Sequence, residues 1–453
     1  MKKYLPYLLL ALPFFLLKVT NIGIWLSDTN IYFYTGYQLL QGNILYKDIF
    51  FTNFPLLPYI SALYFILTNG NLPLFFFTAS IEVILVGGII YAIILKEKKS
   101  QLLALLTASI YLYSFIVLAT SNHQTGVFIA SLFSIFSYLF FTKQRFFLSG
   151  IFIALALLTK AYFLPVVMSI FIYILLTKRS KLLPFLCGAG ITAGVILLPS
   201  LILAPHDLFR DVISYSLTRS QGIPKGNITG FFLTHDTLFA LLLVWNILMI
   251  KKRLFFGMTS LLSFLFFLLY QDIYYLYLNF SIPFLALSFP ELYLSVTSKF
   301  KPQKMVLPTI ISILLCINLS TYITSFRSQQ KITNISELTD EITKQHPATL
   351  YGINSLTPAL SYLTETPLLN GIIDTNENIF RKGFLDKKIM TEQAVQKHAL
   401  IIANGAVYPE SGINYPLLGG IFDEQIVAKS CRLLMTYPVQ PEGVENAITL
   451  FQC

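Results

Sequence analysis

Charged residues are scarce in this chain. Asp, Glu, Lys and Arg make up 12% of its 453 residues, while 55% of the residues are hydrophobic. Because a soluble globular protein contains about 25% charged residues, this composition excludes a soluble fold for most of the chain. Cysteine is also rare: the four copies do not have the spacing of metal ligands. The sequence therefore assigns no metal ligands and no definite cofactor, and it leaves a divalent metal open.

The positive charge of the chain is clustered. Half of its 32 Lys and Arg residues lie in six short groups between long apolar runs, namely Lys2–Lys3, Lys96–Lys99, Lys143–Arg145, Lys178–Lys181, Lys251–Arg253 and Lys299–Lys304. Short basic loops mark the cytoplasmic face of a membrane protein. The formal charge of +10 therefore indicates membrane orientation, and we predict no nucleic-acid partner.

The apolar runs between these clusters predict membrane-spanning helices. Runs of about 17–25 apolar residues are long enough to cross a bilayer, and each pair of basic clusters requires an even number of crossings between them. The predicted crossings are Tyr4–Trp25, Leu72–Leu95, Leu102–Thr120, Gly126–Phe141, two within Phe146–Ile174, Leu182–Leu203, Leu238–Ile250, Leu254–Tyr270, Ile273–Leu294 and Met305–Thr324. Phe54–Leu67 is too short to cross and is predicted to lie along the outer interface.

This count predicts a polytopic α-helical membrane protein with about eleven transmembrane helices in residues 1–325. The amino terminus is expected in the cytoplasm and the carboxyl terminus outside the cytoplasmic membrane. Two outer loops of this part, residues 26–71 and 204–235, are long enough to contribute to a site.

The tail, residues 326–453, differs from the rest because it contains 13 of the 22 acidic residues. Its pattern predicts a small, soluble, extracytoplasmic α/β domain with a partly parallel sheet. The predicted elements are helices near Ile335–Gln345, Thr357–Glu365 and Glu392–Lys397, and strands at Ala348–Ile353 and Ala399–Ala403. Cys431 and Cys453 are either a disulfide, if the tail faces an oxidising compartment, or two free thiols.

Asp28 is the main candidate for chemistry. It follows the first predicted span closely and so lies at the outer membrane surface, among mostly apolar and aromatic neighbours. A carboxylate in such surroundings suits a general base, and at this depth it reaches both a lipid-linked substrate and an aqueous acceptor. The alternative is that Asp28 only caps a helix that begins near Thr29.

Asp28 is followed by three short motifs: Leu40-Gln-Gly42-Asn-Ile-Leu-Tyr46-Lys-Asp48, then Pro55-Leu56 at the start of the interfacial helix, and Leu157-Leu-Thr-Lys160. In this order they resemble the membrane-embedded glycosyltransferases of the GT-C superfamily. That superfamily includes lipid A aminoarabinose transferases, protein O-mannosyltransferases and bacterial transferases of the dolichyl-phosphate-mannose type. The resemblance covers roughly residues 1–325.

The resemblance implies transfer of a sugar from a polyprenyl-phosphate carrier to a glycan, lipid or protein acceptor at the outer face, with inversion. It implies that Asp28 deprotonates the acceptor hydroxyl. Asp48 is the candidate second acid, or else a loop residue paired with Lys47. Many relatives have a second acid directly after the first, but Thr29 stands there in this chain, which leaves a metal or paired-carboxylate role open.

Cations are few on the predicted outer face, and we interpret them as candidate ligands of the donor phosphate. They are Lys160, Arg210, Arg219 and Lys225. The alternatives are that Lys160 extends along the apolar surface to the interface and that the other three belong to a solvated loop.

Three other residues are weaker site candidates. Tyr46 belongs to the first motif. Glu82 lies midway along the second predicted span, where a carboxylate is costly, and it is either a structural hydrogen-bond partner or part of a proton relay. His123 is either a capping residue near the end of a span or a base. Asp236 and Asp272, at outer ends of spans, are predicted to be interfacial, with a place in the site as the alternative.

A membrane transporter or flippase of a lipid-linked saccharide is the main competing function. Transporters usually have ionisable groups near the bilayer midplane and paired halves. In this chain Glu82 is the mid-span charge that stands out, no half resembles the other, and acids gather at the outer surface. A membrane scaffold or ligase whose tail binds cell-wall material is a third alternative. The gathering of acidic residues at the outer surface favours the transferase.

Overall fold

Helices dominate the computed structural model, which describes residues 3–218, 222–299, 303–405, 420–439 and 447–453. The helices before residue 325 are α1 (Leu5–Val19), α2 (Thr29–Leu40), α3 (Leu56–Leu67), α4 (Leu72–Lys98), α5 (Gln101–Leu112), α6 (Phe115–Thr120), α7 (Val127–Thr142), α8 (Phe146–Thr159), α9 (Leu164–Thr177), α10 (Leu182–Leu203), α11 (Pro205–Leu208), α12 (Tyr215–Thr218), α13 (Lys225–His235), α14 (Thr237–Leu248), α15 (Leu254–Leu269), α16 (Ile282–Lys299) and α17 (Gln303–Thr321). A helix or a broken pair of helices lies at each predicted crossing.

Three helical segments of the described chain are long and apolar enough to cross a membrane alone: Leu72–Lys98, Arg179–Leu203 and Val306–Phe326. The pair α13 and α14 gives a fourth if it is counted as one span bent by 105°. Seven further apolar helices have 10–17 residues. These helices agree with an integral membrane protein, while the count of eleven spans stays a prediction.

The predicted interfacial helix is α3, which packs against α2. Gly36 of α2 makes this contact close, because a Cβ atom there would lie 2.6 Å from the backbone carbon of Ser61 in α3. A larger residue would therefore push the two helices apart. The contact fixes α2, whose first residue is Thr29, relative to the membrane part.

The tail contains both helices and strands. The helices are α18 (Ile335–Gln345), α19 (Thr357–Thr364), α20 (Glu377–Arg381), α21 (Lys387–Gln396) and α22 (Glu424–Ser430). Four strands form a sheet in the order β3 (Leu350–Gly352), β4 (Leu400–Asn404), β6 (Ala447–Gln452) and β5 (Arg432–Pro438). Only β3 and β4 are parallel, so the partly parallel sheet is present, although strands β5 and β6 were not predicted.

Cys431 and Cys453 form a disulfide, so the alternative of two free thiols is wrong. The bond joins the residue before β5 to the residue after β6. It closes a loop with a sequence separation of 22 residues. A disulfide of this kind is typical of proteins in oxidising compartments.

The tail is docked on the segment that follows α1. The first predicted crossing ends too late, because α1 ends at Val19 and the end of that range forms a strand. Strand β1 (Ile24–Trp25) pairs with β2 (Lys331–Ile332) in an antiparallel ribbon. The Ser27 N–H donates a hydrogen bond of 3.1 Å to the Ser355 carbonyl. Buried apolar side chains of the outer loop and of the tail form one continuous cluster. The two regions therefore share a core, and the division at residue 325 stays a prediction.

Candidate functional site

A polar cavity lies where the first outer loop, the turn after α8, the segment before α16 and the tail meet. Its volume is about 190 Å³. One water molecule needs only about 10–15 Å³ on this measure, so the cavity has room for a small organic ligand. The side chains that line it include Asp28, Tyr32, Thr52, Asn53, Lys160, Tyr162, Tyr215, Asp272, Tyr274, Tyr277, Asn354, Asp374, Asn376 and Asn378.

Asp28 occupies the residue before α2, as the capping alternative requires, but its side chain makes no capping hydrogen bond. The Ser27 hydroxyl makes a hydrogen bond at the helix start instead: its oxygen accepts the Thr29 N–H at a distance of 3.2 Å. Asp28 instead lines the cavity and has an exposed side chain. The local helix start thus positions a carboxylate at the cavity without using it as a cap.

Lys160 directly follows α8 and is only 2% exposed. Its Nζ lies 2.9 Å from the Tyr32 hydroxyl and 3.4 Å from Asn53 Oδ1, and it lies 4.7 Å from the centre of the Tyr32 ring. This lysine therefore extends into the cavity and not along the apolar surface towards lipid. Because Tyr32 follows Asp28 by one helical turn, the cation and the carboxylate face the same cavity.

Asp48 and Tyr46 shape the first outer loop and are not among the cavity-lining residues. Asp48 Oδ2 accepts a 2.8 Å hydrogen bond from the Ile44 N–H. Tyr46 is 1% exposed, has a positive φ of 68°, and its hydroxyl donates a 2.7 Å hydrogen bond to the Asn53 carbonyl. Burial raises the pKa of Tyr46. The motif thus folds a tight loop that places Asn53 at the cavity.

Arg210 and Lys225, two of the other predicted phosphate ligands, are not brought together with Lys160. Arg210 pairs with Asp207 at 2.9 Å and with Asp211 at 2.7 Å, and its side chain is half exposed. Lys225 donates to the Leu268 carbonyl. Neither belongs to the lining of the cavity. Arg219 lies outside the described residues.

Glu82 lies in α4 and His123 lies in the turn between α6 and α7, and neither lines the cavity. Glu82 is 3% exposed, and its Oε1 accepts hydrogen bonds of 2.6 Å from both the Tyr64 hydroxyl and the Gln124 amide. His123 contacts the rings of Trp25 and Phe76. Burial, reinforced by the charge of Lys18, lowers the pKa of His123 to about 4, so this histidine is neutral at pH 7.

Lys18 is a buried charge that the sequence interpretation missed. It is 2% exposed within α1. Its Nζ donates to the Leu118 carbonyl at 2.6 Å, to Asn122 Oδ1 at 3.0 Å and to the Tyr322 hydroxyl at 2.9 Å. A lone lysine inside the first apolar run is a visible signal, since such residues are rare in membrane spans.

The tail contributes residues that the sequence interpretation did not select. Asn354 follows β3, and Asp374, Asn376 and Asn378 lie just before or within the short helix α20. Ligand sites commonly lie beyond the carboxyl ends of parallel strands, so the polar residue after β3 was a usable signal. Asp272 also lines the cavity, which agrees with the alternative that it has a place in the site.

The lining carries three carboxyl groups, those of Asp28, Asp272 and Asp374, and the single ammonium group of Lys160 among its described residues. Within the described chain, no three His, Cys, Asp or Glu residues are grouped as metal ligands would be. The arrangement can accept a proton at one carboxylate and bind an anion at the lysine.

The fold that holds this cavity is that of ArnT, a GT-C glycosyltransferase, so the fold that the motif resemblance implied is confirmed. No family model matches the sequence, and no curated protein matches it significantly.

Two solved structures of ArnT from Cupriavidus metallidurans are similar to this chain, each with a TM-score of 0.63. One, bound to undecaprenyl phosphate, is 12% identical in sequence, and the other, in the apo state, is 11% identical. Each match covers 98% of this chain and 97% of ArnT. The similarity therefore includes the tail and extends beyond the residues 1–325 predicted from the motifs. At this identity it shows the fold and not the activity.

Proposed function

We propose that this protein transfers a sugar from a polyprenyl-phosphate carrier to an acceptor at the outer face of the cytoplasmic membrane. The observation that carries the proposal is that the carboxylate of Asp28 and the buried ammonium of Lys160 line one cavity. A base and a cation are the two groups that this reaction requires. The shared fold with ArnT, which was solved bound to undecaprenyl phosphate, supports a polyprenyl-phosphate donor.

In the proposed reaction Asp28 accepts the proton of an acceptor hydroxyl. The hydroxyl oxygen attacks the anomeric carbon of the sugar, while the bond from that carbon to the phosphate oxygen breaks. The phosphate leaves with the bonding electrons, and attack from the opposite side inverts the anomeric centre. Lys160 stabilises the negative charge of the leaving phosphate, and its burial strengthens this interaction because water screens it less.

An apolar groove beside the cavity suits the polyprenyl tail of the donor. It has a volume of about 240 Å³ and lies between the bent pair α13–α14 and helices α15 and α16. The segment Tyr275–Phe280 separates the two spaces: Tyr277 lines the cavity, and the next residue, Leu278, lines the groove. With its phosphate at Lys160 and its lipid chain in this groove, the donor would have a cation beside its anionic part and apolar side chains around its apolar part.

The proposal assigns no catalytic role to Asp48 and no phosphate contact to Arg210 or Lys225, because each makes other contacts outside the cavity lining. It routes no step through a metal ion. The acceptor is a glycan, lipid or protein that carries a hydroxyl group. The disulfide in the tail supports an extracytoplasmic position for the tail and the cavity, because cytosolic thiols are kept reduced.

The test uses the purified full chain with an undecaprenyl-phosphate sugar labelled in the sugar, and it follows cleavage of the sugar–phosphate bond. We expect Asp28→Asn to lower turnover by about 10²–10⁴-fold, since this is the usual contribution of a general base. The matched control is Asp48→Asn, which removes a carboxylate from the same loop and should retain turnover.

Normal turnover of the Asp28→Asn protein would remove Asp28 as the base. Movement of the labelled lipid across liposomes without any bond cleavage would contradict the transferase proposal and favour a flippase.

A further inference from the structure

The wall of the cavity that comes from the tail has its own chemistry. It consists of Asn354, Asp374, Asn376 and Asn378, and we call these four residues the amide wall. Three carboxamides and a carboxylate together offer both hydrogen-bond donors and several acceptors, and they carry no positive charge. This composition differs from that of the rest of the lining, which includes the cation of Lys160.

The amide wall is held in place by hydrogen bonds among its own members. Asn354 Nδ2 donates to Asp374 Oδ1 at 2.9 Å, and the same oxygen accepts the backbone N–H of Asn376 at 3.0 Å. Asn376 Oδ1 in turn accepts the backbone N–H of Asn378 at 2.9 Å. Asp374 is only 8% exposed. The side chains of Asn354, Asp374 and Asn376 are therefore oriented before any ligand binds, which reduces the cost of binding.

The sheet of the tail supports this arrangement. Asn354 follows β3, and the hydroxyl of Thr375, the residue after Asp374, donates to the Gly352 carbonyl of that strand at 2.5 Å. Both parts of the amide wall are thus attached to one strand.

The amide wall lies next to the proposed base. The Ser27 N–H donates to the Ser355 carbonyl at 3.1 Å, and Asn30 Nδ2 donates to the same carbonyl. Ser27 precedes Asp28, and Ser355 follows Asn354. A ligand that contacts the amide wall is therefore adjacent to the carboxylate of Asp28.

The chemistry of the amide wall selects for hydroxyl groups. A hydroxyl is both a donor and an acceptor, as a carboxamide is, and a buried carboxylate accepts a strong hydrogen bond from it. A phosphate would be repelled by Asp374 and is attracted by Lys160 instead. Tyr162 and Tyr277, stacked with ring centres 4.0 Å apart, add an apolar surface to the cavity.

We propose that the amide wall binds the hydroxyl groups of a carbohydrate and determines which sugar the cavity accepts. This inference rests on the proposed function for the identity of the reaction, but the binding itself does not require catalysis. The hydroxyl groups belong either to the sugar of the lipid-linked donor or to a saccharide acceptor, and the two sources predict different results.

The experiment compares the full chain with Asn354→Ala and Asn378→Ala. The probes are bare undecaprenyl phosphate, undecaprenyl phosphate linked to individual hexoses and pentoses and to their deoxy analogues, and an array of short saccharides. Asn334→Ala is the matched control, because it removes a tail carboxamide that does not line the cavity. Lys160→Met reports on phosphate binding alone. Thermal unfolding verifies that each variant is folded.

If the amide wall binds the sugar of the donor, both asparagine variants bind one sugar lipid about 10- to 100-fold more weakly. Their affinity for bare undecaprenyl phosphate is unchanged. The deoxy analogue that lacks the contacted hydroxyl shows the same loss in the wild-type protein. If the hydroxyls belong to the acceptor, the variants bind every sugar lipid normally and lose affinity for a saccharide on the array. Lys160→Met weakens bare undecaprenyl phosphate in both cases.

The inference is overturned if the folded asparagine variants bind all sugar lipids and saccharides as the wild-type protein does. It is also overturned if the wild-type protein discriminates among none of them. Failure of the proposed function has a different signature: bare undecaprenyl phosphate and sugar lipids do not bind, while saccharide binding on the array still depends on Asn354 and Asn378.

Discussion

Two lysines of this protein are equally buried but differ in their surroundings. Lys18 and Lys160 are each 2% exposed. Lys18 donates to three fixed oxygen atoms, which match the three hydrogens of its ammonium group, and the void beside it measures only about 10 Å³. Lys160 lines a cavity of about 190 Å³. A buried charge by itself therefore does not identify a site, whereas a buried charge beside a cavity does.

The largest expected effect that sharpens this comparison is at Lys160. Lys160→Met removes the cation opposite the leaving phosphate, so we expect turnover of the labelled undecaprenyl-phosphate sugar to fall by about 10²-fold. Thermal unfolding should change little, because the former partners Tyr32 and Asn53 line the cavity and can hydrogen-bond to water there. The matched control is Lys225→Met, which removes an outer cation that does not line the cavity and should leave turnover intact. Equal losses of turnover in Lys160→Met and Lys225→Met would contradict a specific role of Lys160 in the reaction.

The sequence predicted the membrane part better than the site. Apolar length and basic loops are local signals, and helices lie at the predicted runs. Asp28 and Lys160 were also recognisable, because each belongs to a short motif. For the amide wall, the position of Asn354 after a strand was a usable signal, but its approach to Asp28 was not, since that approach arises only through docking of the tail, more than 300 residues later in the chain. No local pattern encodes such a contact.

The structure does not bring two predicted loop residues to the cavity, for a similar reason. Asp48 and Arg210 are of the right type and on the predicted outer side, but their partners are their own neighbours in the chain. Whether a side chain turns to a cavity or back to its own loop depends on backbone hydrogen bonds that composition does not reveal.

The next effect concerns stability and not chemistry. Lys18→Met leaves the Leu118 carbonyl and Asn122 Oδ1 buried without the donor they have now. We expect a loss of about 1–3 kcal/mol of stability, the usual cost of a buried polar group without its partner. Thermal unfolding in detergent measures this loss, while turnover per folded molecule should be unchanged. A catalytic defect in folded Lys18→Met protein would place this lysine in the reaction and break the comparison.

A smaller effect is expected at Glu82, the mid-span acid. Glu82→Gln keeps an Oε1 acceptor for the Tyr64 hydroxyl and the Gln124 amide, so we expect stability to change by less than about 1 kcal/mol and turnover to stay normal. The unfolding temperature and the pH profile of turnover measure the two quantities. Loss of turnover with intact folding would favour a proton relay through the membrane part.

The remaining effect depends on pH and tests whether an acid buried outside the cavity affects folding alone. Asp211 is fully buried, and this burial raises its pKa to about 6, although the hydrogen bond and charge of Arg210 oppose the shift. An unfolded Asp titrates near 3.9, so between pH 4 and 6 the folded protein binds more protons than the unfolded one. The contribution of Asp211 to stability therefore falls as the pH rises through this range and is constant above it.

Asparagine resembles the protonated acid, so Asp211→Asn should leave the unfolding temperature unchanged at pH 4 and raise it at pH 8. The control Asp207→Asn removes the more exposed partner of Arg210 and should show no such dependence, whereas a difference between Asp211→Asn and wild type that is independent of pH would contradict the titration.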